Sequence, residues 1–190
     1  MIYFFQIIQK KRRSFFFPII HSDISVKTEI LQRALLDENI DVIHYAATEL
    51  NTIDTEIQAK INNAEKREKN KENDLRIYRL YKKYNKSGLL FGAISDFYRK
   101  KMFGMLNNLK ISQEEKEKEL IDIYEKLEYK EEYETLLKKY IKKSNNKDMI
   151  SKYLKFLYRE NRFHELISEY KKFERYNKDI EIPEFLREFV

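Results

Sequence analysis

The chain contains no cysteine, and among its 190 residues only 3 are glycine and 2 are proline. Without thiols there is no disulfide framework, no thiolate nucleophile and no cysteine-bound zinc. With so few turn-makers and helix-breakers, a fold built from many short strands and tight turns is excluded. Long hydrophobic runs are missing too. "MIYFFQII" gives way at once to Lys10, Lys11, Arg12 and Arg13, and "FFFPII" is shorter still. Eight helical residues rise about 12 Å, against roughly 30 Å of bilayer hydrocarbon. Phosphate-binding glycine loops are absent as well. Gly88, Gly92 and Gly104 have no lysine at P-loop spacing, and "GLLFG" carries the small-residue spacing of close helix contacts.

What remains is helix-forming. Charged residues make up 37% and aromatics 14%, too aromatic for disorder and rich in Leu, Lys, Glu and Ile. The expected class is all-α. Cations are concentrated in residues 1–20 and 64–110, whereas 21–63 is acidic and 111–190 is nearly balanced. The apolar start followed by Lys10, Lys11, Arg12 and Arg13 resembles the cytoplasmic end of a membrane helix, so 1–20 reads either as an anchor remnant able to touch a membrane surface or as an apolar segment that packs on its own domain.

A helix is expected from Ile24 to Leu36, with "DENID" as its break and Asp41 as the cap of the next. That next helix carries Ile43, Ala46, Leu50, Ile53, Ile57, Ile61 and Ala64 at steps of three and four. "LRIYRLYKKY" puts Leu75, Tyr78, Tyr81 and Tyr84 on one side, and Gly88 is a natural terminator. Ser112 and Glu115 have capping-box spacing. Beyond them the apolar pattern returns with a step of about 30 residues, the length of a helical hairpin. Leu120, Ile123, Tyr124 and Leu127 match Ile150, Tyr153, Leu154 and Leu157, while Tyr133, Leu136, Leu137 and Tyr140 match Phe163, Leu166, Ile167 and Tyr170. Such a hairpin cannot bury its apolar side alone and must stack on its neighbours.

These hairpins resemble degenerate tetratricopeptide repeats. They differ from that family, which steps by about 34 residues, in period, in lacking the glycine of the first helix and in having no inter-repeat proline except Pro183. Armadillo- or HEAT-like pairing of the same helices stays open. The expected layout is an N-terminal segment over 1–20, a helical hairpin region over 21–86, tetratricopeptide-like repeats over 87–182, and a cap over 183–190.

Three histidines, His21, His44 and His164, lie in separate segments without shared spacing. "HELIS" at His164 places Ser168 where a zinc-protease signature needs its second histidine. His44 in "HYAAT" is expected to pack or hydrogen-bond, with a hydrolase centred on it as the enzymatic alternative. No catalytic, metal or cofactor residue is assigned. Two sets of surface residues are candidates for binding. Tyr129, Lys130, Tyr158, Arg159 and Arg162 fall near the repeat turns and suit a protein partner. Arg76, Arg79, Lys82 and Lys83 form a basic patch that suits an acidic protein or anionic lipid head groups, with a nucleic acid or a regulatory partner as the alternative.

The apolar start, "ALLDENIDVIHYAATEL" and the downstream repeats together resemble the PelE family, the repeat-bearing subunit of Pel-type exopolysaccharide synthases. The likeness is close over 35–60, with "SGLLFG" a weaker second match, and covers 24–175 in layout. It implies a bacterial, non-enzymatic scaffold whose cytoplasmic repeats hold together a membrane channel, a glycosyltransferase and a cyclic-di-GMP receptor subunit at the inner face of the membrane. It also implies that His44, Tyr45, Ala46 and Ala47 form a helix-packing motif. The paired membrane helices of that family have no counterpart here.

Overall fold

A computed structural model describes residues 23–144 and 146–176. The anchor-like segment with Lys10, Lys11, Arg12 and Arg13, His21, and the expected cap over 183–190 lie outside the described residues. Among the described residues all regular structure is helical, and no helix is long and apolar enough to cross a membrane. The chain divides after Ile111 into two compact units, later than the 86/87 boundary expected from sequence.

The first unit holds α1 (Ile24–Ala34), α2 (Ile40–Glu65), α3 (Lys71–Lys86) and α4 (Gly92–Leu106), each packed on the next. Each of the first three starts on a side-chain cap. Asp23 accepts from Ser25 N at 2.9 Å, Asn39 from Asp41 N at 2.9 Å, and Asn70 from Asn73 N at 2.8 Å. The cap of α2 is thus Asn39, before the expected Asp41. Asp41 sits in the first turn, where its charge faces the positive end of the helix dipole.

The α2 stripe is as its spacing predicts, with Ala46, Ile53, Ile57, Ile61 and Ala64 buried and Ile43 and Leu50 half-buried. Buried Asn73 donates to Ala64 O at 2.9 Å and ties the start of α3 to the end of α2. At the other end of α3, Gly88 takes φ +75°, a conformation that a side chain would strain. Its carbonyl accepts from Gln32 Nε2 at 2.9 Å, while the buried Thr28 hydroxyl donates to Ser87 O. Helix α4 joins this unit because it packs on α3: Ser95 donates to Asn85 at 2.9 Å, and the Tyr98 ring meets Tyr81 at a tilt and Tyr84 edge-on, both at 5.2 Å.

The second unit holds α5 (Gln113–Lys126), α6 (Lys130–Ser144), α7 (Lys147–Arg159) and α8 (Phe163–Tyr176), again with each helix against its successor. One core runs through it, including Ile121, Tyr133, Leu137, Leu154, Leu157, Leu166 and Tyr170. Its two hairpins repeat in backbone detail. Ser112 caps α5, and Asn146 caps α7 at the equivalent point of the next hairpin. Glu128 and Asn161, closing the first helix of each hairpin, both take positive φ, 57° and 58°. After each, an amide reaches back to the helix it left, Tyr129 N to Tyr124 O at 3.0 Å and Arg162 N to Leu157 O at 2.9 Å. That six-to-one bond is the Schellman way of closing a helix.

Buried positions follow the same step. Ile121 pairs with Leu154, Ile123 with Phe156, Tyr133 with Leu166, Leu137 with Tyr170 and Tyr140 with Phe173, every one of them buried. The repeat in this unit therefore steps by about 33–34 residues, and not by the roughly 30 that apolar spacing suggests.

Candidate interaction surfaces

The "HYAAT" segment lies early in α2, where only Ala46 enters the core, fully buried. His44 and Ala47 are exposed and Tyr45 is 39% exposed. Helical geometry explains the difference from the expected packing motif. At about 100° per residue, His44 stands roughly 200° from Ala46, on the opposite side of the buried stripe. His164 is exposed at the start of α8. Among the described residues no cluster of three or more His, Asp or Glu side chains could hold a metal ion.

The five candidates near the repeat turns are brought together at one edge of the second unit. Tyr129 and Arg162 occupy the α5–α6 and α7–α8 turns, Lys130 opens α6, and Tyr158 and Arg159 close α7. Their charges are committed within the chain. Lys130 bonds Glu160 at 2.8 Å and Arg159 bonds Glu125 at 3.3 Å. Arg162 grips Glu134 with two bonds of 2.7 and 2.9 Å and Glu165 with two more of 2.7 and 2.6 Å. Glu134 also receives Lys138 at 2.5 Å. With Arg162 donating most strongly and Lys138 adding to it, burial notwithstanding, the Glu134 carboxyl is pulled down to about 2. The aromatic pair Tyr158 and Phe163 meets edge-on at 5.9 Å. This edge clamps successive hairpins to each other and leaves Tyr158 partly in solvent.

Sequence reading missed the acidic partners Glu125, Glu134, Glu160 and Glu165, because runs of Glu read as solvated helix faces. It also missed Glu117, a buried carboxylate on α5 that Lys139 and Gln113 reach at 3.0 and 3.3 Å. Both become findable once the observed repeat step is known. Glu117 then stands where the next hairpin has Ile150, and Glu134 directly follows the buried Tyr133.

The basic patch on α3 is arranged differently. Tyr78, Tyr81 and Tyr84 are buried, as expected, and the hydroxyls of Tyr81 and Tyr84 bond within the unit. Tyr81 donates to Glu65, which also receives Lys101 at 3.0 Å, and Tyr84 donates to Asp54. Burial first, then these carboxylates, push both tyrosines up to about 12. The same Tyr81 bond holds Glu65 below the usual carboxylate range. On the opposite side Arg76, Arg79 and Lys83 line a groove together with Leu75 and Leu80, with Arg67 contributed by the link from α2. The groove has a volume of about 650 Å³. Lys82, the fourth member of the expected patch, is not among its lining residues.

No family model, curated protein or solved structure matches this chain.

Proposed function

We propose that the chain is a non-enzymatic scaffold of helical hairpins, tetratricopeptide-like in its second unit, that holds protein partners together. The observation carrying this reading is the recurrence, at about 33–34 residues, of cap, left-handed turn and buried positions. That step is the tetratricopeptide one, and hairpins that pack in sequence order expose long helix faces suited to gripping another chain. The setting is a Pel-type exopolysaccharide synthase at the inner face of the bacterial membrane, and this part rests on the resemblance over 35–60. The partners would be the glycosyltransferase, the membrane channel and the cyclic-di-GMP receptor subunit. A nucleic-acid adaptor working through 66–86 is less favoured, because the tyrosines that would stack on bases are inside the helix pack.

The test is an affinity-tagged chain expressed from its own locus, crosslinked in cells and purified from detergent-solubilised membranes. Mass spectrometry should find glycosyltransferase and channel subunits enriched with it over an untagged control. Enrichment of neither removes the polysaccharide setting.

A further inference from the structure

The arginines with described side chains stand at 33, 67, 76, 79, 99, 159 and 162. Four of them are ion-paired: Arg33 to Glu29, Arg99 to Asp96, Arg159 to Glu125, and Arg162 to Glu134 and Glu165. Among the described residues no ion pair engages Arg67, Arg76 or Arg79, and all three line the same groove along α3. In a chain this rich in carboxylates, such segregation is not what scattered surface charge produces. Glu72 stands one turn before Arg76 on the same helix side, yet no ion pair joins them.

We propose that this groove docks an acidic, partly apolar peptide segment of a partner protein. Arg76, Arg79 and Lys83 recur at steps of three and four, so they form one stripe about 10.5 Å long. Guanidinium forks at that spacing match carboxylates one turn apart on a partner helix, each fork able to hold a carboxylate through two bonds. Leu75 and Leu80, which line the same groove, offer contacts to apolar side chains between those carboxylates.

Two features favour a peptide over a uniformly charged polymer. Glu68 and Glu72 line the N-terminal end of the groove beside Arg67, so carboxylates interrupt its basic lining there and oppose a uniformly anionic nucleic-acid strand. The α3 tyrosines are buried and supply no stacking platform. A bilayer is disfavoured because headgroups present a plane, whereas these cations line a concavity. The inference deepens the scaffold reading by naming one face and the chemistry of its partner.

The test places the photo-crosslinker p-benzoylphenylalanine at Lys83 in the full chain, in its own cells, and sequences what it captures. The expected product is a peptide segment with several Asp or Glu close together, interspersed with apolar residues. Arg76→Glu with Arg79→Glu should abolish that product at unchanged helical circular dichroism. A synthetic peptide of the captured segment should bind the double variant at least tenfold more weakly by fluorescence anisotropy. Reversing the peptide's own acids to lysine should restore binding to that variant. Capture of RNA, of lipid or of a neutral or basic segment overturns the proposal. So does an acidic product that survives the double substitution, or no product at all. A chain that yields no product yet still co-purifies with the synthase subunits loses this groove and keeps the scaffold reading.

Discussion

Glu134 is held by two cations at once, and its side chain is only 17% exposed. Arg162 and Lys138 lower its pKa from 4.5 to about 2, so its ionised form is favoured by folding. The sign follows from linkage. The stabilisation is complete above about pH 4.5 and is lost as pH falls toward 2. Because the Arg162 side chain is 32% exposed, solvent screening reduces the effect to on the order of 1–2 kcal/mol. Glu134→Gln should therefore lower the urea midpoint at pH 7, and the gap between variant and parent should narrow steadily as pH falls below 4.5. A gap that persists unchanged into strong acid would mean the ion pair is not its source. Burial decides a second case. Leu137 is fully buried on α6 while its neighbour Leu136 is only partly covered by the same core. Leu137→Ala should cost about 3 kcal/mol of unfolding free energy, in the range of buried leucine truncations. Leu136→Ala should cost about 1 kcal/mol or less. Equal losses would place the α6 core face elsewhere. At this scale the sequence was least legible. Tyrosine burial on α3 could be read from periodicity, but the exposure of His44 depends on which arc of α2 meets its neighbours. Ion-pair partners such as Glu134 and Arg162, far apart in the chain, are set by hairpin geometry that one-dimensional spacing does not encode.

Helix ends carry the information that apolar spacing lacks. Leucines and tyrosines recur every three to four residues, so sliding one hairpin by a helical turn leaves nearly the same stripe facing inward. The alignment read from apolar spacing differs from the observed register by such a turn, and most of its matches survive the shift for that reason. Caps and turns break the degeneracy: Ser112 matches Asn146 at a step of 34 and Glu128 matches Asn161 at 33, and neither pair fits a step of 30. Asparagine tolerates left-handed φ and glutamate does not, so the two turns should respond differently to glycine. Glu128→Gly should raise stability by about 0.5 kcal/mol, the relief of strain offset in part by unfolded-chain entropy. Asn161→Gly should change it little. Thermal melts of both variants check this, and a destabilised Glu128→Gly protein contradicts the turn geometry. The register makes a further claim about α5. Glu117 is 3% exposed, one of its oxygens has no hydrogen-bond partner, and its equivalent one repeat later is Ile150. Replacing Glu117 by an apolar residue that fits removes a buried carboxylate with one unpartnered oxygen, and Lys139, 63% exposed, is not left as a buried unpaired charge. Glu117→Ile should raise the unfolding free energy by about 1 kcal/mol in chemical denaturation. A loss of that size instead would show that the hairpins do not share a packing register at this position.

Over the whole molecule, the division after Ile111 was not legible from composition, because the charge change near residue 110 and the glycine at 88 suggest competing boundaries. Packing settles it. Helix α4 is held to α3 through Tyr98 and Ser95, whereas among the described residues the α5–α8 cluster is assembled from residues between Ile121 and Phe173. A core closed in this way should fold without the preceding residues. Residues 112–190 expressed alone are therefore expected to give a helical circular dichroism spectrum and one cooperative urea transition, with a slope on the order of 1 kcal/mol per M for so short a chain. Stability of small domains amounts to several kcal/mol at most, close to what one fully buried leucine contributes. Leu154, at 0% exposure, belongs to that core. Leu154→Ala should consequently leave the isolated piece largely unfolded at room temperature, while Leu127→Ala, half-buried at the end of α5, should leave its transition cooperative. A parent piece that melts gradually, without a cooperative transition, would mean that α5 to α8 depend on residues before 112 and that the hairpin pair is not a folding unit.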